Sequence, residues 1–292
     1  QKKLAINFLS DNGDIPNAIT DYSFSSDLPE YNYVITGTEY NWYEINGIGE
    51  NLNLHDDSII KNVKLNFDFR YYGSIFNTLT ICSNGWVSFL PCLDKNGQFS
   101  SCSTLPYFFN NSIPYPLGPY GMIAPFFDDL DDNVSDENPI GEPFDVFFWT
   151  NSVDSAIVQW DNVANGHTDE NCPDCVKETF QVILTNGGAT TTSDGNLIFQ
   201  YKEIHDIDNH GSTIGIESPD KNNGTEYLFN YTYANNVPIL QNRTAIKFSP
   251  QCADSSRVDE CSVCGGTGAK TWYIDMDNDG LGDSCDTDDD ND

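Results

Sequence analysis

Positive charge is scarce in this chain: 13 Lys and Arg stand against 45 Asp and Glu, a formal net charge of −32. Binding a phosphate backbone or an anionic bilayer needs clustered cations, so nucleic acid and anionic membranes are excluded as partners. No apolar run reaches the roughly 18 residues of a membrane-spanning helix, so membrane insertion is not expected. No stretch repeats its apolar residues at helical spacing between caps, which removes helices from the expected fold. Catalytic signatures are missing too. His55, His167, His205 and His210 are present, but there is no His-Glu-x-x-His pair and no Gly-x-Ser-x-Gly elbow. A glycosidase needs only two carboxylates, yet nothing among the 45 acids singles out a pair. No enzyme activity is expected.

What is abundant is acid, aromatic residues and short β patterns. Val63, Leu65, Phe67 and Phe69 alternate with Asn62, Lys64, Asn66 and Asp68, which gives a strand one buried face. Leu79 and Ile81, the turn Ser83-Asn84-Gly85, and Trp86 to Phe89 read as a hairpin. Phe144–Trp149 with Ala156–Trp160 form a second pair. Phe180, Val182 and Leu184 with Leu197, Phe199 and Tyr201 flank a Gly- and Thr-rich loop at 186–195, and Ile214, Ile216, Ile246 and Phe248 close the series. Short strands parted by Gly, Asn, Asp and Pro turns predict an all-β chain, a β-sandwich of antiparallel strands over 31–250. Residues 1–30 read as an N-terminal strand or arm, with Leu4, Ile6 and Phe8 alternating before an Asp11–Asp14 turn. Residues 251–292 hold four of the nine cysteines and few aliphatics, so they form a small module that needs disulfides and metal in place of a core.

The cysteine usage points to an oxidising compartment. Nine is odd, and Cys285, inside the acidic tail, is the expected unpaired one. Cys252, Cys261, Cys264 and Cys285 supply enough thiolates for zinc, but their uneven spacing and the oxidising setting favour disulfides. Cys172-Pro-Asp-Cys175 has redox-motif spacing without the βαβ unit that chemistry requires, so it reads as a local loop closure. Cys92 and Cys102 are a further candidate pair. Gln1 is compatible with a mature terminus after signal cleavage.

The most specific chemical signal is Asp275 to Asp292, DMDNDGLGDSCDTDDDND. Asp275, Asp277, Asp279, Asp283 and Asp286 fall at positions 1, 3, 5, 9 and 12 of a twelve-residue loop, with Gly280 at position 6. Alternate side chains then converge on one hard cation while the glycine permits the turn, which is the layout of a calcium loop. Leu281, next after the glycine, is the expected carbonyl donor. Asp288, Asp290 and Asp292 repeat the first three ligands thirteen residues later, and the chain ends where the next turn glycine is expected. This reads as an interrupted calcium-repeat array. An EF-hand would need flanking helices and a bidentate Glu in place of Asp286. A second cluster, Asp128, Asp129, Asp131 and Asp132, reads as a solvated loop in preference to another calcium site. His167 and Asp169 are too far from either cluster in sequence to be assigned to one. Sequons at Asn110, Asn133, Asn223, Asn230 and Asn242 are about as many as chance supplies, and they matter as glycan sites only in a eukaryotic source.

Five segments together resemble the nidogen-like (NIDO) family: ICSNGWVSF (81–89), MIAPFFDDLDD (122–132), AIVQWDNV (156–163), TFQVILTNGG with NLIFQYKEI (179–188 and 196–204), and STIGIES (212–218). The resemblance covers roughly residues 40–248. Phe127 stands where that family more often has Trp, and the Pro- and Cys-rich insertion at 90–120 is unusual for it. The tail resembles thrombospondin type 3 calcium repeats, preceded by DECSVCGG (259–266), which looks like a Cys-rich linker. The resemblances imply a secreted or cell-surface adhesion or structural module without chemistry of its own, using calcium and binding an extracellular protein or glycan. Two alternatives are carried: a repeating subunit of an extracellular filament exchanging its N-terminal segment with a neighbour, and an accessory domain of a larger secreted hydrolase.

Overall fold

A computed structural model describes residues 31–89, 109–116, 118–131, 145–165, 176–186, 194–205 and 211–252. Along them run β1 (Tyr31–Gly37), β2 (Glu50–Asn51), β3 (Ile59–Tyr71), β4 (Ser74–Cys82), β5 (Trp86–Ser88), β6 (Met122–Phe127), β7 (Leu130–Asp131) and β8 (Asp145–Thr150). There follow β9 (Ser155–Asn165), β10 (Val176–Thr185), β11 (Asn196–Glu203), β12 (Thr213–Glu217), β13 (Gly224–Phe229), β14 (Thr232–Tyr233) and β15 (Thr244–Cys252). Among the described residues there is no helix, hence none long and apolar enough to cross a membrane.

The strands form two antiparallel sheets. One has eight strands in the order β1-β15-β11-β10-β9-β8-β2, with β7 pairing β9 at the side; the other has seven, β14-β13-β12-β6-β5-β4-β3. The expected hairpins form. Cys82 faces Trp86 across the Asn84-Gly85 turn, Val146 faces Trp160 between β8 and β9, and Phe180, Val182 and Leu184 face Tyr201, Phe199 and Leu197. Between the sheets, alternate residues of both interlock in one core that includes Phe69, Ile81, Val87, Ile123 and Phe126 from one side and Val158, Trp160, Phe180, Phe199 and Phe248 from the other. Burying these side chains is the main driving term, at about 2 kcal/mol per large apolar residue. Buried hydroxyls are matched across the layers: Tyr201 donates to the Pro125 carbonyl at 2.7 Å.

Gly85 shows why the turn motif is fixed. Its φ is +75°, and a Cβ there would lie 1.8 Å from the Phe126 carbonyl oxygen, so no side chain fits between hairpin and β6. The long edge strand β3 is broken by two register shifts, with Asn62 and Asn66 at positive φ. Its outward carbonyls are taken up from the facing sheet. Thr150 Oγ1 donates to Leu65 O at 2.8 Å, Asn186 Nδ2 to Asp68 O, and the Gly195 amide to Arg70 O at 2.8 Å. On the far side Thr225 Oγ1 of β13 donates to Tyr33 O of β1 at 2.7 Å, tying the sheets together.

Each sheet also carries a strap on its outer face. Residues 38–49 cross the eight-stranded sheet and insert Ile45 among Phe147, Ile157 and Ile183. Residues 109–116 cross the seven-stranded sheet and insert Ile113 among Cys82, Trp86, Met122, Ala124 and Phe127. That is why β6 and β12 are buried on both faces, although antiparallel sheets commonly leave one face to solvent.

Candidate functional site

The turn at 55–58 follows the buried Leu54 and is closed on itself, with the His55 amide donating to Ser58 Oγ at 2.8 Å and Ser58 Oγ to His55 O at 2.6 Å. Asp57 sits in it at φ 48°. The Asn84 turn locks this turn to the start of β7. Asn84 Nδ2 donates to Asp57 Oδ1 at 2.8 Å, while Asn84 Oδ1 accepts the Leu130 amide at 3.1 Å. Beneath, the indole of Trp160 donates to the Cys82 and Ser83 carbonyls, both at 3.1 Å. One corner of the sandwich thus collects carboxylates from two distant stretches: Asp56, Asp57 and Asp129 offer oxygens all within 4.8 Å of one another.

Asp56 and Asp129 are exposed and Asp57 is half-buried. Three hard oxygen donors converging at a solvent-facing corner suit a hard divalent cation whose remaining ligands are water. Exposed acids also gather without an ion. Residues 128–131 do not form one solvated loop. Asp129 joins the corner, Asp131 lies in β7 opposite Ala164, and Asp128 is turned inward at 4 % exposure, its Oδ1 accepting the Asp129 amide at 3.0 Å. Asp132 lies outside the described residues. The part played by Asp56 and Asp57 was not anticipated; its one sequence signal is the short turn His55-Asp56-Asp57-Ser58 after an apolar residue.

The hairpin, the APF segment and the aromatic strand, which resemble one family in sequence, meet at this corner. A family model described as NIDO related matches residues 22–257. The chain belongs to the NIDO-related family. No curated protein and no solved structure matches it significantly. Membership of the NIDO-related family points to an extracellular module of structural or adhesion type.

The tail candidates Asp275, Asp277, Asp279, Leu281, Asp283, Asp286, Asp288, Asp290 and Asp292 lie outside the described residues, as do seven cysteines, residues 1–30 and Asn133. Cys82 is a free, buried thiol. Burial pushes it up to about 12, against hydrogen bonds from the Asn84 amide and Ser83, so it is inert at neutral pH. Cys285, expected to be the unpaired cysteine, lies outside the described residues. Of the sequons, Asn223, Asn230 and Asn242 are exposed, whereas Asn110 is half-buried with its Nδ2 donated to Gly211 O at 2.8 Å.

A row of buried glutamines was also missed. Gln159, Gln181 and Gln200 stand side by side in β9, β10 and β11 and are at most 2 % exposed. They act as a surrogate strand for the 38–49 strap. Gln200 accepts the Asn41 amide and donates to the Asn41 carbonyl, both at 2.7 Å. Gln181 donates to Tyr43 O at 3.3 Å, and Gln159 accepts the Ile45 amide at 3.3 Å. Glu44 completes the clamp. Burial opposes its charge, but hydrogen bonds from Gln159, Lys202, the Asn46 amide and Trp42 outweigh it and hold the carboxyl at about 2. The signal was legible as one Gln within each of three otherwise apolar strands, AIVQW, TFQVI and LIFQY. Trp42 is held within the same cluster: Tyr40 stacks 6.5 Å from it, Lys202 sits 5.4 Å over its ring, and its Nε1 donates to Glu44 at 3.1 Å.

Proposed function

We propose that this NIDO-related domain is a non-catalytic, calcium-dependent adhesion or structural module of the extracellular space, presenting its sandwich to a protein or glycan partner. The observation that carries the calcium part is the meeting of Asp56, Asp57 and Asp129 within 4.8 Å at a corner built by the family's own motifs. The Asp-x-Asp-x-Asp-Gly loop from Asp275, and its repeat from Asp288, add the same chemistry in the acidic tail. In a chain of net charge −32, bound divalent cations relieve self-repulsion as well as fixing loops. Calcium thereby turns the tail into a stiff connector, since clustered carboxylates with no core beneath them order only when the ion is bound.

Limited proteolysis of the whole chain, in calcium and in chelator, tests this. Cleavage should concentrate in residues 253–292 under chelator and be suppressed by calcium. Equal cleavage in both conditions refutes calcium-dependent ordering of the tail. Calcium titration of Asp57→Asn against the natural chain separates the corner from the tail: loss of one binding step assigns an ion to the corner, and an unchanged isotherm removes it.

A further inference from the structure

The two straps are held by different chemistry. Three buried glutamine amides, which do not titrate, and Glu44, held at about 2 and so charged near neutral pH, hold 38–49. Carboxylates hold 109–116: Glu217 Oε2 accepts the Tyr115 amide at 2.6 Å, and Glu226 Oε2 accepts the Ile113 amide at 2.7 Å. Thr213 Oγ1 adds a bond to Asn111 O at 2.9 Å. Just beyond, Lys221 Nζ donates to Gly118 O at 2.6 Å. Beneath the strap, Ile113 fills a notch that exists because β12 and β13 carry glycine there. A Cβ on Gly224 would lie 2.5 Å from Ile113 Cγ2, and one on Gly215 would lie 3.1 Å from Ile113 Cδ1.

We propose that the 109–116 strap is a proton-controlled cover of the outer apolar cluster around Trp86, docked most firmly when Glu217 holds a proton and loosening as Glu217 ionises. Glu217 is 1 % exposed, and its second oxygen, Oε1, is buried with no hydrogen-bond partner. A neutral acid tolerates that position; a carboxylate leaves part of its charge there unsolvated. The groups facing it do not compensate. Burial raises the carboxyl to about 7, against the Tyr115 amide and, from the β12–β13 turn, the Lys221 ammonium, while Asp220 adds to the effect of burial. From β3, Tyr71 spends its hydroxyl on the Glu217 main-chain carbonyl at 2.8 Å. Tyr71 and the adjacent Tyr72 are both held neutral, chiefly by burial. Burial raises Glu226 as well, against the Ile113 amide.

The sign follows from linkage. The docked carboxyl binds its proton more tightly than the ordinary value of 4.5, so docking is strongest below that value and is lost as pH rises through about 7. If opening restores ordinary solvation to Glu217, the opening equilibrium rises about tenfold between pH 6 and pH 8.

Amide hydrogen exchange at Ile113 and Tyr115, corrected for the intrinsic pH dependence, reads this directly because those two N–H groups are the clasp donors. The natural chain should lose about tenfold in protection from pH 6 to pH 8, and Glu217→Gln should be flat over that range. A natural chain with flat protection, or a Glu217→Gln chain with the same slope, overturns the proposal. Should that variant fail to fold, a carbon-13 titration of the Glu217 carboxyl in the natural chain decides. A midpoint near 7 supports the proposal, and one near the ordinary 4.5 overturns it.

Discussion

Replacing Trp160 by Phe tests whether the acidic corner is anchored in the core. Trp160 is fully buried and stacks on Phe180 with centroids 5.0 Å apart and planes at 16°. Phenylalanine keeps most of that stack but removes the pyrrole edge and the N–H. The Cys82 and Ser83 carbonyls, each 3.1 Å from that nitrogen, lose a shared donor. Leaving buried acceptors without their donor costs about 1–2 kcal/mol, and the void left by the missing ring edge adds about 1–2 kcal/mol. The sum is about 3 kcal/mol, which for a domain of this size lowers Tm by roughly 6–12 °C. Urea and thermal unfolding of the natural and variant chains in the same buffer measure it. A loss below about 1 kcal/mol shows that the indole N–H does not anchor the turn, and the link from core to corner falls with it.

Gln200→Ala removes both hydrogen bonds to Asn41, yet the freed strap backbone can turn to water, so a loss of about 1–2 kcal/mol is expected. Hydrogen exchange over 38–46 should rise far more than exchange in β3; a uniform rise, or none, refutes the surrogate-strand role. Asp194 gives a pH-dependent case. Burial raises its carboxyl to about 6, opposed by the Gly73 amide and Arg70. A folded value above the ordinary 3.8 means its contribution is present below that pH and lost as pH rises through about 6. The stability of the natural chain relative to Asp194→Asn should fall by up to roughly 3 kcal/mol between pH 3.5 and pH 7. Urea midpoints that run parallel over that range contradict it.

The layout of the sandwich was legible because its cause is local. Leu65, Phe67 and Phe69 alternate with polar neighbours, so a strand with one buried face follows from period two alone. Gly85 between two apolar runs announces a hairpin. What could not be read arises from pairing at a distance. Gln159, Gln181 and Gln200 mean little singly; only the strand register sets them in a row. Asp56 and Asp57 are a polar turn until Asn84 draws them beside Asp129. Glu217 reads as the polar end of a strand, and the amide that its carboxyl accepts lies 102 residues away in sequence. The strand Tyr31–Gly37 was not anticipated, because its partner is the last strand of the sandwich, Thr244–Cys252.

The occupied carbonyls along β3 limit how these domains can associate. Strand addition recruits unpaired backbone groups on an edge, and Leu65, Asp68 and Arg70 already spend theirs on Thr150, Asn186 and Gly195. The thirteen-residue strand that would otherwise be the natural template for a neighbouring chain is therefore blocked along much of its length. Three hydrogen bonds within the fold thus oppose sideways addition along this part of the edge, and a neighbour that adds a strand has fewer free carbonyls to meet there than on an open edge.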